Sequence, residues 1–285
     1  MRLIDWNIQW GRDANGRVDL SRTVAEARAL ADFDVFCVQE LTRGFEALPG
    51  GPGPDQFAEL AALLPDYTVI EAIAADLPPA AGGTARRQFG NAIATRLPVG
   101  RVLRHTLPWP AEAGTPSMPR IALEVNLSGA GGPLRIVTTH LEFYSAAQRL
   151  AQVDALREQH REAAGHARRP APAETPDGPF AGSARALDAI VCGDFNSAYR
   201  DDAYRRITAP IDGTPAFVDA WTHAHPGTTP PPTAGVYDTV QWTDGAMTCD
   251  FVFVTDSLAE RIVRCEIDGA TRASDHQPIL LELRD

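Results

Sequence analysis

Short apolar runs that end on a polar side chain recur along this chain. Residues 2–8 (Arg-Leu-Ile-Asp-Trp-Asn-Ile) predict a first strand, with Asn7 near its end. Leu20, Val24, Ala27 and Leu30 recur at helical spacing, so residues 19–31 predict a helix capped by Asp19 or Ser21. Residues 34–40 predict a second strand that closes on Glu40. Strand, helix and strand in that order imply a parallel crossover. Further along, the pattern predicts a helix over 56–64, strands over 67–72 and 90–95, and antiparallel strands over 99–107 and 120–127. Residues 74–88 carry Pro-Pro, Gly-Gly and Arg86-Arg87 and predict a mobile surface loop. Residues 108–119 are a long, proline-bearing loop, a length that tends to be functional or disordered.

The second half repeats the theme, which suggests a coarse duplication. A strand over 134–141 carries His140 near its end, and a helix follows over 146–164, with Leu150, Val153, Leu156 and His160 on one stripe. Residues 165–183, rich in Ala, Pro, Gly and Arg, predict a flexible excursion inside one domain spanning 1–285. The run from Ala189 to Cys192 predicts a buried strand ended by Gly193. Beyond it, alternation puts Asp194 and Asn196 on one side and returns Phe195 to the core. A short helix over 201–207, a new element at 218–221 and a draping Pro/Gly-rich segment over 226–246 come next. Strands over 248–254, 262–268 and 279–283 complete the chain, the last preceded by a tight turn over 274–278.

Composition narrows the function. The net charge is −11, so the surface as a whole repels nucleic acid and anionic membranes. No run approaches the roughly 18–20 apolar residues of a membrane span. Cys37, Cys192, Cys249 and Cys265 form no CxxC pair, which favours reduced, buried thiols over a disulfide or zinc framework. With strand-like sequence from residue 2 and no apolar leader, the expected location is the cytoplasm.

Nine polar side chains end or interrupt apolar runs: Asn7, Glu40, Asn91, His140, Asp194, Asn196, Asp250, Asp275 and His276. One such residue means little, because strands routinely end on polar groups. Carboxylates, amides and histidines together suit one chemistry. Hard oxygen donors with few sulfurs favour Mg²⁺ or Mn²⁺ over Zn²⁺. Such an ion polarises a phosphoryl oxygen. A histidine beside a carboxylate is fixed in one tautomer and made more basic. Asn and His side chains donate to phosphate oxygens as charge builds.

These segments, in this order, resemble the endonuclease/exonuclease/phosphatase superfamily: Asp-Trp-Asn-Ile-Gln at 5–9, Val-Gln-Glu at 38–40, Thr-His-Leu at 139–141, Gly-Asp-Phe-Asn at 193–196, Asp-Phe-Val-Phe at 250–253 and Ser-Asp-His at 274–276. The resemblance covers nearly the whole chain, and Gly-Asp-Phe-Asn with Ser-Asp-His is specific as a pair. It implies an α/β, deoxyribonuclease I-like fold, a four-layer sandwich of two packed mixed sheets flanked by helices. It implies Glu40 as the main Mg²⁺ (or Mn²⁺) ligand, with Asn7 and Asp275 completing the sphere directly or through water. It implies His276 as a base or phosphate stabiliser held by Asp250, and Asp194 as the group that orients or deprotonates water. Asn196 and His140 would contact the phosphate, and Asn91 occupies a supporting position.

The implied reaction is hydrolysis of a phosphodiester or phosphomonoester by in-line attack of water. The substrate is a phosphorylated small molecule or a short nucleic acid, with no membrane or protein partner indicated. A nuclease acting on DNA or RNA is the neighbouring alternative, and a non-catalytic binding module on the same fold is the other. Asp219, Arg149 and Gln152 read as structural. Trp109, Tyr144, Tyr237 and Trp242 lie in segments that either ring the site or simply anchor loops. Arginine supplies essentially all the positive charge, partly as Arg86-Arg87 and Arg168-Arg169, and no basic, aromatic-interleaved track for a nucleic-acid backbone is present. Neither the lipid-binding hairpin of sphingomyelinases nor the lysine-rich motifs of inositol phosphatases has a match.

Overall fold

The computed structural model describes residues 1–129, 131–169, 180 and 185–284. In chain order the elements are β1 (Arg2–Asn7), α1 (Leu20–Leu30), β2 (Val35–Arg43), α2 (Gln56–Leu63), β3 (Thr68–Leu77), β4 (Arg87–Thr95), β5 (Val99–Thr106), β6 (Ile121–Gly129) and β7 (Gly132–His140). Then come α3 (Ala146–Arg168), β8 (Ala189–Asp194), α4 (Asp202–Thr208), β9 (Phe217–Asp219), α5 (Ala220–Ala224), β10 (Asp250–Thr255), α6 (Asp256–Ala259), β11 (Ile262–Ile267) and β12 (Ile279–Leu283). The strands make two six-stranded mixed sheets, ordered β11-β12-β1-β2-β4-β3 and β5-β6-β7-β8-β10-β9. β1–β2 and β7–β8 pair in parallel across the crossover helices α1 and α3, and every other neighbouring pair is antiparallel.

Alternation along the strands sorts the side chains into layers. Leu3, Val35, Cys37, Ile93 and Leu281 of one sheet meet Leu123, Val125, Ile136, Ile190, Cys192 and Val252 of the other. Ile4, Trp6, Phe36 and Val38 point outward onto Leu20, Val24, Phe57 and Leu60 of α1 and α2. Val137, Val191, Phe251 and Phe253 point outward onto Val153 and Leu156 of α3 and Ala203, Tyr204 and Ile207 of α4. The result is the four-layer α/β sandwich. Asp19 caps α1 by accepting from the Arg22 N–H at 3.0 Å.

Three segments differ from the expectation. Residues 74–88 are not one loop, because β3 runs on to Leu77 and β4 begins at Arg87, with Asp76 opposite Gln88. The extension is alanine-rich and crosses a register shift between Ile73 and Ala75, so neither strand propensity nor alternation marks it. Arg86 and Arg87 are spent locally, on the Asp76 carboxylate and the Pro78 carbonyl. α3 continues to Arg168, one turn past the expected end and into the span read as flexible. Residues 170–179 and 181–183 of that span lie outside the described residues. Gly193 does not end β8 but sits within it, at φ +136°, with Thr139 on one side and Phe251 on the other. A Cβ there would lie 1.9 Å from the Thr139 carbonyl oxygen, so only glycine permits this approach.

One polar cluster interrupts the outer layer beneath α3. Glu124 of β6 is fully buried and accepts from both the Nε and the Nη2 of Arg185, each at 3.0 Å, with Arg135 at 3.6 Å. His160 of α3 receives Arg135 at 2.5 Å. Burial alone would raise the Glu124 pKa, but His105, Arg185 and Arg135 outweigh it and hold the carboxyl down to about 2, against 4.5. A depressed carboxyl pKa adds stability that is present above the unfolded value and fades as pH falls toward 2. Glu124→Gln leaves the buried Arg135 without its carboxylate and Arg185 with Glu162 alone. We expect a loss of about 3–5 kcal/mol at pH 7. In urea melts that loss should shrink steadily between pH 4.5 and pH 3.

Candidate active site

The inner faces of both sheets turn polar at the same edge of the sandwich. Asp5 and Asn7 follow Leu3 along β1, Gln39 follows Cys37 along β2, Thr138 and His140 follow Ile136 along β7, and Asp194 follows Cys192 along β8. Register then places His140 beside Asp194, and Asp194 opposite Asp250. Side chains scattered over the sequence therefore meet between two sheets: Asn7, His140 and Asp194 close their strands on the inward face, and Asp250 opens its strand opposite Asp194.

The Asn7 amide nitrogen is the hinge of the cluster. It donates to Glu40 Oε1 at 3.2 Å within its own sheet and to Asp194 Oδ2 at 3.0 Å in the other. Its oxygen accepts from the Gln9 N–H at 3.1 Å. Glu40 reaches the edge through a break in β2, whose register against β4 shifts between Val38 and Leu41. Glu40 itself adopts φ +65°, rare for a residue with a Cβ, and surrounding contacts must hold it there. Its predecessor Gln39 supplies them, donating to Asp5 at 2.9 Å and across to Thr138 of the other sheet at 2.8 Å.

His276 lies against Asp250, with Nδ1 at 2.9 and 3.1 Å from the two carboxylate oxygens and Nε2 3.8 Å from Asp194. Burial works against its charge, but Asp250, Asp275 and Asp194 outweigh burial and push its pKa well above 6.5. His140 sits 3.5 Å from Asp194 and 3.9 Å from Glu40. Burial, with Arg120 and His276 nearby, pushes its pKa well down, so the ring is neutral, and its Nδ1 has no partner. Asp275 accepts three donors on one oxygen: Gln9 at 2.9 Å, Trp242 at 3.1 Å and Gln241 at 3.2 Å.

Asn196 departs from the expected alternation. It turns left-handed at φ +47°, and its side chain donates back to the Leu141 carbonyl at 2.9 Å, while its N–H donates to Asp194 at 2.8 Å. Phe195 does return to the core. Asn91 is buried between the sheets and donates to the Ile121 carbonyl at 3.3 Å, without a hydrogen bond to the other eight. Seven of those eight are joined directly by hydrogen bonds or close approaches, and Asp275 is linked to Asn7 through Gln9. Asp219 caps α5 and receives the Tyr204 hydroxyl, and Gln152 spans two loop backbones. Tyr237 is tied to Gly269 and stacked under Arg272, away from the cluster, whereas Trp242 is part of it. The segment 226–246 drapes as expected, and Gly235, at φ +73°, makes the drape possible. A Cβ there would lie 2.7 Å from Trp242 Cβ.

Two contributors escape the sequence reading. Gln9 closes the Asp-Trp-Asn-Ile-Gln segment and Arg120 opens the strand expected over 120–127, but nothing in the pattern gives either a role. Arg120 is 6% exposed, contacts Glu142 at 3.4 Å, and has a buried Nη1 with no partner. Burial lowers its pKa, while the Glu142, Asp194 and Glu40 carboxylates act the other way. A guanidinium N–H held unmet beside such a cluster is a ready donor to an anion.

The charge balance bears on a metal. Burial, with Asp275 and Asp194 nearby, raises Glu40 to about 7, and burial with Asp250 raises Asp194 to about 6. His276 and Asn7 pull both values down, but not enough to offset burial and the neighbouring carboxylates. A hard divalent cation fits an all-oxygen set of this kind. All four cysteines are free and buried. Among the described residues no helix is long and apolar enough to cross a membrane.

The same fold occurs in solved structures. An endonuclease/exonuclease/phosphatase protein from Beutenbergia cavernae aligns over 100% of this chain and 71% of its own, at 22% identity and a TM-score of 0.65. A mannosyl-6-phosphatase from Bacteroides thetaiotaomicron aligns over 100% of both chains at 17% identity and a TM-score of 0.66. A humanised TDP2 from D. rerio aligns over 100% of this chain and 99% of its own at 18% identity and a TM-score of 0.60. No curated protein sequence matches. The family model for the Endonuclease/Exonuclease/phosphatase family matches residues 6–276, from the end of β1 through His276. The chain belongs to that family of hydrolases, which act on phosphoester bonds.

Proposed function

We propose that the chain is a Mg²⁺- or Mn²⁺-dependent phosphoesterase that hydrolyses a small phosphorylated molecule by in-line attack of water. The observation that carries this reading is the buried convergence of Glu40 and Asp194, joined by Asn7, with the Asp250-held His276. Glu40 would hold the ion, with Asp275 and Asn7 alongside, and the bound ion supplies Lewis acidity toward a phosphoryl oxygen.

The chain's own groups divide the remaining work. Asp194, raised to about 6, accepts a proton from water near neutrality. His276 is already protonated, so it donates to a phosphoryl oxygen as negative charge builds there. Asp250 fixes its tautomer and orientation. His140, neutral, donates one N–H without adding charge, and Arg120 supplies its unmet Nη1 to the same anion. Asp194 is therefore the base and His276 the electrophile.

The net charge of −11 favours a small substrate over a polymer. That a protein of the same fold is a mannosyl-6-phosphatase agrees with this choice. We expect a chromogenic phosphoester to be hydrolysed with Mn²⁺ and supercoiled plasmid to stay intact. Plasmid nicking at a comparable rate would turn the reading to a nuclease.

Asp194→Asn and His276→Gln should each lower kcat by about 10²–10⁴-fold with the fold retained by circular dichroism. Wild-type rates in both would overturn the assignment. Glu40→Gln should abolish Mn²⁺ binding in calorimetry; undiminished binding would place the ion elsewhere. Arg120→Ala should raise the inhibition constant of inorganic phosphate about tenfold or more, with Arg120→Lys recovering only part of it.

A further inference from the structure

Exposed apolar side chains gather at the mouth of this site. Phe143 and Tyr144, directly after β7, are 48% and 63% exposed, and Val240 on the draping segment is 85% exposed. Between them stands Trp242, edge-on to the His276 ring at 5.5 Å and perpendicular to Phe143 at 6.4 Å. Phe143 in turn meets Tyr144 at 4.8 Å, also perpendicular. The rings form one line that starts at the imidazole proposed to face the phosphate and runs outward to solvent.

Trp242 and the backbone at Phe143 are held in place. Trp242 is fixed by its indole N–H on Asp275. The Phe143 backbone is fixed by Arg149, which donates to the carbonyls of Glu142 and Phe143 at 2.7 and 2.9 Å. Exposed and half-buried rings in mutual contact gain free energy when their apolar surface is covered, and ring partners fit them best. The row is three rings long, which suits one planar group rather than a strand of bases.

We propose that Trp242, Phe143 and Tyr144 form a subsite for an aromatic or nucleobase-like ring joined to the scissile phosphate. The substrate class is then an aryl or nucleoside phosphoester rather than a simple alkyl or sugar phosphate. This rests on the phosphoesterase reading and specifies its substrate.

The test is calorimetric binding of phenyl phosphate, methyl phosphate, octyl phosphate and inorganic phosphate, in Mn²⁺ buffer, to the whole chain. Phenyl phosphate should bind about five- to tenfold tighter than methyl phosphate. Phe143→Ala should collapse that ratio toward one, and Phe143→Tyr should keep it. With an aryl phosphodiester as substrate, Phe143→Ala should raise KM more than it lowers kcat. Equal affinity for phenyl and methyl phosphate, a ratio unmoved by Phe143→Ala, or a preference for octyl phosphate would overturn the aromatic subsite alone. Failure of inorganic phosphate and all three esters to bind, with no ester hydrolysed, would overturn the phosphoesterase reading beneath it.

Discussion

A single amide nitrogen, that of Asn7, touches two carboxylates that belong to different sheets. Glu40 and Asp194 are like charges in a buried setting, and without a shared donor they would push the sheet ends apart. The requirement explains the polar ladder directly beneath. Gln39 joins Asp5 to Thr138 across the same gap, and burial, aided by Asp250, raises the Asp5 pKa well above 3.8. Below that, Cys37 and Cys192 return the interface to apolar packing. The interior thus grades from oil to salt along the strand direction, and the site is its salty end.

Much of this was legible because the gradient is written as apolar runs that stop on polar residues. The strands bearing Asn7, Glu40 and His140 could be read directly, and so could the crossover from β1 to β2. The pattern closes β2 on Glu40 and stops the strand before Asp194 at Gly193, although each runs on. What escaped depended on partners far away in sequence. Gln9 and Trp242 act only because the turn at 274–276 brings Asp275 to them. Arg120 carries no motif, and its unmet N–H exists only once β6 and the segment after β7 enclose it. The left-handed turns at Glu40 and Asn196 leave no trace in composition, since neither residue is glycine. The 74–88 hairpin was hidden by alanine, which fits a strand without favouring one.

The outer layers serve the inner one by different means. On one side, α1 and α2 press aliphatic and aromatic groups onto the sheet. On the other, α3 covers both an apolar patch and the Glu124–Arg135–Arg185 cluster. That cluster lies on the outer face of its sheet, with Glu124 opposite Val137, whereas the polar edge that gathers Asn7, Glu40 and Asp194 lies between the two sheets.

The two strand orders hide an exchange. From β1 to β4 the chain runs strand, helix, strand, helix, strand, strand, and from β7 to β10 it follows the same itinerary apart from the short α5. Each half then sends its closing hairpin, β5–β6 or β11–β12, to the sheet founded by the other half. The halves are interlocked like clasped hands, so neither sheet can be completed until both halves of the chain have been made. The molecule carries the logic of an intertwined dimer within one polypeptide, and the polar edge lies on its internal axis of kinship.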